Sequence, residues 1–245
     1  MLHIGTNHGG MVCYSASVMI NVSSNFWFKP QSPRGARPEI PAANLPVEDR
    51  FAYYQGLIES NDGVFQPGTP ALLGLRGLAP DNERHDSAQN IGPYNDTLVL
   101  LHRQPDGTPL LKEFLGSTHA GQKSSSASPG GVAQLRPGNY VTIDHGDHND
   151  MPSWHFVTLG GDDHVPAWRD VNKDGYISSK EKSKAEKEDC TATAILLHNG
   201  VNEDHGRSIG CQTLPPKLMK EFIDTIGVHT PFKYTLVDAN LPTPS

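Results

Sequence analysis

The chain is short of the features that usually announce a function class. Charged residues make up only 19% of its 245 positions, and no run approaches the ~20 consecutive apolar residues of a membrane-spanning helix. The net charge is −7, from 20 basic and 27 acidic side chains, and no block of lysine and arginine is interleaved with aromatics. This argues against nucleic acid as the main partner, and an acidic surface is not drawn to an anionic bilayer. The first residues, MLHIGTNHGGMVCYSASVMINVSS, lack the basic start and long apolar core of a secretory signal. Internal repeats are missing too. Cysteine is scarce: Cys13, Cys190 and Cys211 cannot all pair within one chain, so a Cys190 to Cys211 disulfide and a free Cys211 are both open.

What is abundant is turn chemistry. With 24 glycines and 20 prolines, the composition suits a loop-rich, mainly β protein with a few short helices, large enough to bury a core without staples. Residues 1 to about 45, including the Lys29 to Pro38 run, read as a loop or extended arm. Val47 to Ser60 is the first helix, with Phe51, Tyr54, Leu57 and Ile58 on one face, closed by Asn61-Asp62-Gly63. Strands are expected at Ala71 to Leu75, Thr97 to His102, Leu110 to Ser117, Asn139 to Ile143, Trp154 to Leu159 and Thr191 to His198. Gly121 to Gly131 is a Ser/Gly-rich loop, and Pro216 to Ile226 is a helix burying Leu218, Met219, Phe222, Ile223 and Ile226.

Chemistry concentrates in Ile195 to Thr213, ILLHNGVNEDHGRSIGCQT: an apolar strand, a histidine, a polar loop and a Gly-flanked cysteine. A thiol near its ordinary pKa of about 8.5 is mostly protonated at neutral pH, so a nucleophilic cysteine needs an imidazole or positive field. His198 supplies the imidazole, with His205 as the other candidate base. Gly210 leaves room for a carbonyl beside Cys211, whose neighbouring N–H groups suit an oxyanion.

This His-x-Gly, loop, Ser-x-Gly-Cys arrangement resembles the signature of the L,D-transpeptidase (YkuD-like) catalytic domain, whose members act on peptidoglycan stem peptides. Asp96 to Leu101, the Pro105-Asp106-Gly107 turn and Leu110 to Ser117 look like that domain's opening hairpin, and Arg136 to Ile143 like a following strand. The resemblance covers roughly residues 94 to 226. It implies a YkuD-like β-sandwich over 94–245, with 1–93 as an N-terminal extension packed on it. By it, Cys211 is the acyl-accepting nucleophile and His198 its base; Ser208 and Gly210 shape the turn. Asn199, Gly200 and His148 are expected on the substrate. Two departures stand out: Gln212 and Thr213 replace an aliphatic residue and arginine, and the His-to-Cys loop is short. The Gly-Cys-Gln ending, with Ala71 to Arg76, looks more like a phage-associated branch.

A second motif is independent of the first. Asp170 to Glu181, DVNKDGYISSKE, fits the twelve-residue EF-hand loop: Asp170, Asn172 and Asp174 at positions one, three and five, Gly175 at the turn, the Tyr176 carbonyl at seven, Ser178 at nine and Glu181 at twelve. An all-oxygen set favours structural Ca2+, in a single inserted loop with neither a second EF-hand loop nor flanking amphipathic helices evident. His145, His148, His155 and His164, mixed with Asp144, Asp147, Asp150, Asp162 and Asp163, form either a polar cleft wall or a zinc site.

The expectation is therefore a cysteine-dependent enzyme working through a thioester on peptidoglycan stem peptides at the cell wall. Hydrolysis (L,D-peptidase or carboxypeptidase) is slightly favoured over transfer. The competing class is a catalytically silent, calcium-stabilised glycan- or peptide-binding domain on the same fold.

Overall fold

A computed structural model describes residues 35–121 and 130–244; Cys13, most of the expected N-terminal arm and residues 122–129 of the Ser/Gly-rich loop lie outside them. In chain order the elements are α1 (Val47–Ser60), β1 (Ala71–Arg76), β2 (Asp96–Arg103), β3 (Pro109–Gly116), β4 (Ala133–Leu135), β5 (Gly138–His148), β6 (Met151–Val157), β7 (Val165–Arg169), α2 (Ser179–Lys187), β8 (Thr191–Ala192), β9 (Leu196–Asn199), β10 (Gln212–Leu214), α3 (Pro216–Ile226) and β11 (Lys233–Asp238). The protein is thus mainly β, with three short helices among the described residues. Eight strands form one sheet in the order β10-β9-β6-β5-β11-β1-β2-β3, and β4-β7-β8 form a second. Ser117, just past β3, exchanges both backbone hydrogen bonds with Thr213 of β10 (2.8 and 2.9 Å), so the large sheet's two edges meet and it nearly closes.

Alternation explains the packing. Leu72, Leu98 and Leu100 point into the sheet's interior with Phe114, Trp154, Phe156, Leu197, Leu214 and Tyr234, and α3 adds Met219 and Phe222 to this core. Phe222 sits edge-on to Phe114 and Trp154, with centroids 5.8 and 5.5 Å away. Leu73, Leu75, Val99 and Leu101 face outward against Phe51, Tyr54, Leu57 and Ile58 of α1. Burial of each such side chain is worth ~1.5–3 kcal/mol, so the helix is held by its apolar stripe. Strand β1 runs between β11 and β2 and is buried on both faces, as continuous apolar strands are. Hence of the elements that precede the expected boundary at residue 94, β1 shares a sheet and α1 a core with the strands beyond it.

The long β5–β6 hairpin turns through Asn149 (φ 51°) and Asp150 (φ 61°), a two-residue loop with both residues left-handed, and carries a bulge between Asp144 and Gly146. The run Thr191 to His198, expected as one strand, is instead two strands in different sheets. Ala194 at φ 54° interrupts it, letting β8 join β7 while β9 joins β6 and β10.

Candidate active site and acidic loop

Pairing of β9 with β10 sets the site. The parallel register opposes Gln212 to Leu197 and Thr213 to His198. Leu197 and Gln212 therefore face the core, where the Gln212 side chain meets the Tyr234 hydroxyl at 3.1 Å, and His198 faces the other way. Cys211 immediately precedes β10, and its sulfur accepts the Leu196 N–H at 3.4 Å while its S–H points to the Ala194 carbonyl at 3.7 Å. The base thus lies on β9 and the thiol just before its neighbour β10, with no hydrogen bond between them among the described residues. The thiol's hydrogen bonds run to the backbone of residues 194–196.

Both groups are neutral. Burial pushes the Cys211 thiol up to about 11, against a smaller lowering by the Leu196 N–H. Burial likewise pushes His198 down to about 4, reinforced by His148 and His145. The His198 Nδ1 lies 2.6 Å from the Asn199 carbonyl; a carbonyl only accepts, so Nδ1 carries the proton and Nε2 keeps the basic lone pair.

The hairpin tip delivers His148. Asn199 Nδ2 donates to the Asn149 carbonyl (3.2 Å) and Asn149 Nδ2 to the Asn199 carbonyl (3.4 Å), clamping the tip to β9. The His148 ring then stands 4.4 Å from His198, centroid to centroid, and the His145 ring stands 6.5 Å from His148 and 6.1 Å from His155. A bulge and a tight turn gather histidines scattered over about fifty residues into one row beside the candidate base. Gly200 is packed under Tyr94, where any Cβ would overlap the hydroxyl, and the Tyr94 hydroxyl donates to the Asn202 carbonyl (3.0 Å). His205 is exposed, away from these contacts.

Ser208 holds the turn. Its hydroxyl lies 2.8 Å from the Ala120 carbonyl and 2.9 Å from that of Cys211, and accepts the Gly210 N–H at 3.4 Å. Gly210 has φ 154°, and a Cβ there would sit 3.0 Å from both Ala133 and Ile195 side chains, so close packing as well as conformation calls for glycine. Cys190 and Cys211 are both free; Cys190 belongs to a small cluster with Trp168, Ile177 and Ala185.

The structure adds residues to which no sequence signal gave a role. Asp96 is fully buried and accepts from the Gly77 N–H, the Thr118 N–H and hydroxyl (each 2.7 Å), and lies 3.0 Å from His85 Nε2. Burial alone would raise its pKa, but the His85 and Thr118 bonds and the His119 charge hold it well below the carboxylate range. Arg76, also buried, donates to the Thr118 carbonyl and hydroxyl and to the Leu135 carbonyl. Burial pushes neighbouring His119 down to about 4.

The acidic loop follows β7 where a regular EF-hand has a helix, but it leads into α2, a flanking helix not expected from the sequence because its Lys/Glu-rich run buries only Ala185. The Asp170 carboxylate accepts the N–H groups of Asp174 (3.2 Å) and Gly175 (2.8 Å); Asn172 Oδ1 and Asp174 Oδ1 accept those of Asp174 and Tyr176 (both 2.9 Å). Glu181 accepts from Val171 and from Ser178, whose hydroxyl caps α2 in a reciprocal capping box. Among the described residues none of Asp170, Asp174 and Glu181 forms an ion pair. Burial and the nearby Asp174 raise the Asp170 pKa. Asp170, Asn172, Asp174 and Glu181 are an all-oxygen set of the kind a hard divalent cation takes, but the ligand atoms of the three carboxylates do not all lie within 4.8 Å of one another. The only described group of three whose ligand atoms all lie within 4.8 Å of one another is Asp162, Asp163 and His164, all exposed. No helix of the described residues is long and apolar enough to cross a membrane.

No family model, no curated protein and no solved structure matches this chain.

Proposed function

We propose that the chain is a cysteine-dependent enzyme of L,D-transpeptidase (YkuD-like) type acting on peptidoglycan stem peptides, with Cys211 as nucleophile and His198 as base. The observation that carries this is the parallel pairing of β9 with β10, which sets His198 on one strand and Cys211 at the entry to its neighbour, at the end of the Ser208-to-Cys211 turn. With the thiol near 11 and the imidazole near 4, neither is charged at neutral pH, so proton transfer accompanies attack. The thiol leaves the Ala194 carbonyl and turns towards His198; catalytic hydrogen bonds commonly tighten only once substrate is bound. Nε2 takes the proton as sulfur bonds the peptide carbonyl carbon, N–H groups about Gly210 and Cys211 stabilise the oxyanion, and the C–N bond breaks as the amine takes the proton from His198. Water then adds hydroxyl to the acyl carbon and a proton to sulfur, or a second stem's amine takes the acyl group. His148, Asn199 and Gly200 border the base and are assigned to the peptide.

Ca2+ is assigned to Asp170, Asn172, Asp174, the Tyr176 carbonyl, Ser178 and Glu181. When bound, it neutralises the loop's carboxylates; the chemistry stays with the thiol. A second reading, a silent binding domain, is favoured by the buried thiol whose hydrogen bonds are already made to backbone.

The decisive measurement is mass spectrometry of purified muropeptides incubated with wild-type protein and Cys211→Ala. Loss of a terminal residue, a cut cross-link or a mass gain with wild type alone establishes the enzyme and its bond. Unchanged muropeptides with both, alongside retention of the protein on cell-wall material, would establish the binding domain.

A further inference from the structure

The acidic loop and the Cys211 turn are distant in sequence, yet one residue spans the space between them. Asn90 is fully buried. Its N–H donates to the Gly175 carbonyl at 2.8 Å, in the loop residue whose own N–H is held by the Asp170 carboxylate. Its side-chain Oδ1 accepts the Ala120 N–H at 3.3 Å, and its carbonyl accepts the Gly121 N–H at 3.2 Å. The Ala120 carbonyl in turn receives the Ser208 hydroxyl, which also reaches the Cys211 carbonyl. A parallel strut reinforces the first contact, because the Ile177 N–H donates to the Ala88 carbonyl at 2.8 Å and Gln89 bridges Tyr176.

This geometry has little slack. A Cβ on Gly121 would lie 3.0 Å from the Arg207 nitrogen, so the 120–121 segment is already against the chain entering the Cys211 turn. The Asn90 Nδ2 has no partner among the described residues, so Oδ1 alone orients the amide. In a regular EF-hand arrangement the loop backbone would pair with a second loop; here residues 88–90 take that place, and their other side supports the turn.

We infer that Asn90 is a positioning residue that couples the order of the Asp170–Glu181 loop to the Ser208–Cys211 turn, so that loosening the loop loosens the thiol. Its regulatory meaning rests on reading Cys211 as the working thiol; the coupling itself does not.

Cys211 is only 8% exposed, so alkylation reports how often its surroundings open. The experiment measures iodoacetamide labelling of Cys211 by mass spectrometry, in chelator-treated buffer, in full-length protein carrying Cys13→Ser and Cys190→Ser. The variants are Asp170→Ala, Asn90→Ala, their double mutant and Asn90→Asp, each checked by thermal melting. Asp170→Ala and Asn90→Ala should each speed labelling about tenfold, the scale of one lost buried hydrogen bond. Because both cut the same path, the double mutant should label no faster than the faster single. Asn90→Asp, which keeps an acceptor at Oδ1, should stay within about twofold of the parent even with a lower melting temperature. If Asn90→Ala does not fold, Asn90→Ser replaces it in the cycle.

The coupling is overturned if Asp170→Ala leaves labelling unchanged, if the two effects multiply to about a hundredfold, or if Asn90→Asp labels as fast as Asn90→Ala. Muropeptide turnover on the same proteins separates the two ideas. A parent inactive on muropeptides sinks the enzyme reading, while the labelling cycle still decides the coupling.

Discussion

The acidic loop and the Cys211 turn are both short, glycine-containing and capped by a serine, but they are built differently. In the loop, Asp170, Asn172, Asp174 and Glu181 satisfy backbone N–H groups within the same twelve residues. In the turn, Ser208 reaches Ala120, Gly210 packs on Ala133, and the base depends on a hairpin tip about fifty residues upstream. The loop's side chains satisfy its own backbone, with residues 88–90 bracing it from outside, whereas the turn's side-chain contacts come from the rest of the fold. That difference predicts which substitutions act locally and which act at a distance.

The largest effect should come from the buried network behind the turn. Asp96→Ala would leave Arg76 buried without the carboxylate that acts on it most strongly and free the Thr118 N–H that it anchors two residues before Ala120. Breaking a buried charge network of this kind costs about 3–5 kcal/mol, to be read from the denaturant midpoint. No change in the acidic loop approaches this, if the contrast is right; an Asp96→Ala midpoint within experimental error of wild type would break it.

Acid should also strike the turn's side first. His119 and His198 are held near 4 by burial, below an unfolded value of about 6.5. For depressed groups the stability is fully present above about 6.5 and is lost as pH falls towards 4, because the unfolded chain takes up the protons first. The loss is about 3 kcal/mol for each histidine, at 1.36 kcal/mol per unit. A series of melting curves over that window checks it, and His198→Gln should halve the slope. An unaltered slope in that variant would mean that His198 is not buried neutral.

The histidine pair shows what was and was not legible in the sequence. Helices α1 and α3 were readable to their ends, because an apolar stripe at helical spacing is a local signal. The loop motif was readable for the same reason. Strand β11 was not, although Lys233–Asp238 sits mid-sheet, and neither was the break at Ala194, which depends on two sheets competing for one segment. His198 and Cys211 could be picked out, but their neutrality is a property of burial. The row formed by His145, His148 and His155 needed the bulge and the turn to exist. Asp96 and Arg76 lay in segments likened to the family but were given no role, and His119 carried no motif.

Calcium binding should give the next effect in size, and it should be lost with the loop's ligands. A ligand that binds only the folded state at a hundred times its dissociation constant stabilises by about 2.7 kcal/mol. Wild type should therefore melt higher in calcium than in chelator, and Asp170→Ala with Glu181→Ala should lose that difference. Trp168, stacked under Lys182 at 4.4 Å and bonded to Glu186, provides a fluorescence readout beside the loop. A calcium response that survives in the double variant would move the cation elsewhere, with the exposed Asp162, Asp163 and His164 group the first place to look.

The smallest effects sharpen the comparison most. Ser178→Ala removes an N-cap from α2, and Ser208→Ala removes the hydroxyl shared by two buried carbonyls; each should cost about 1 kcal/mol in a thermal melt. Equal stabilities with unequal reach is the expected result. Ser178 bonds only within its own loop and helix, so its loss should leave amide exchange near Ala120 and Gly210 unchanged. Ser208 joins the Ala120 segment to the thiol's own backbone, so its loss should speed exchange there and labelling at Cys211. If Ser178→Ala opened the turn as well, the helix end of the loop, and not only the Asp170 carboxylate, would feed the route through Asn90.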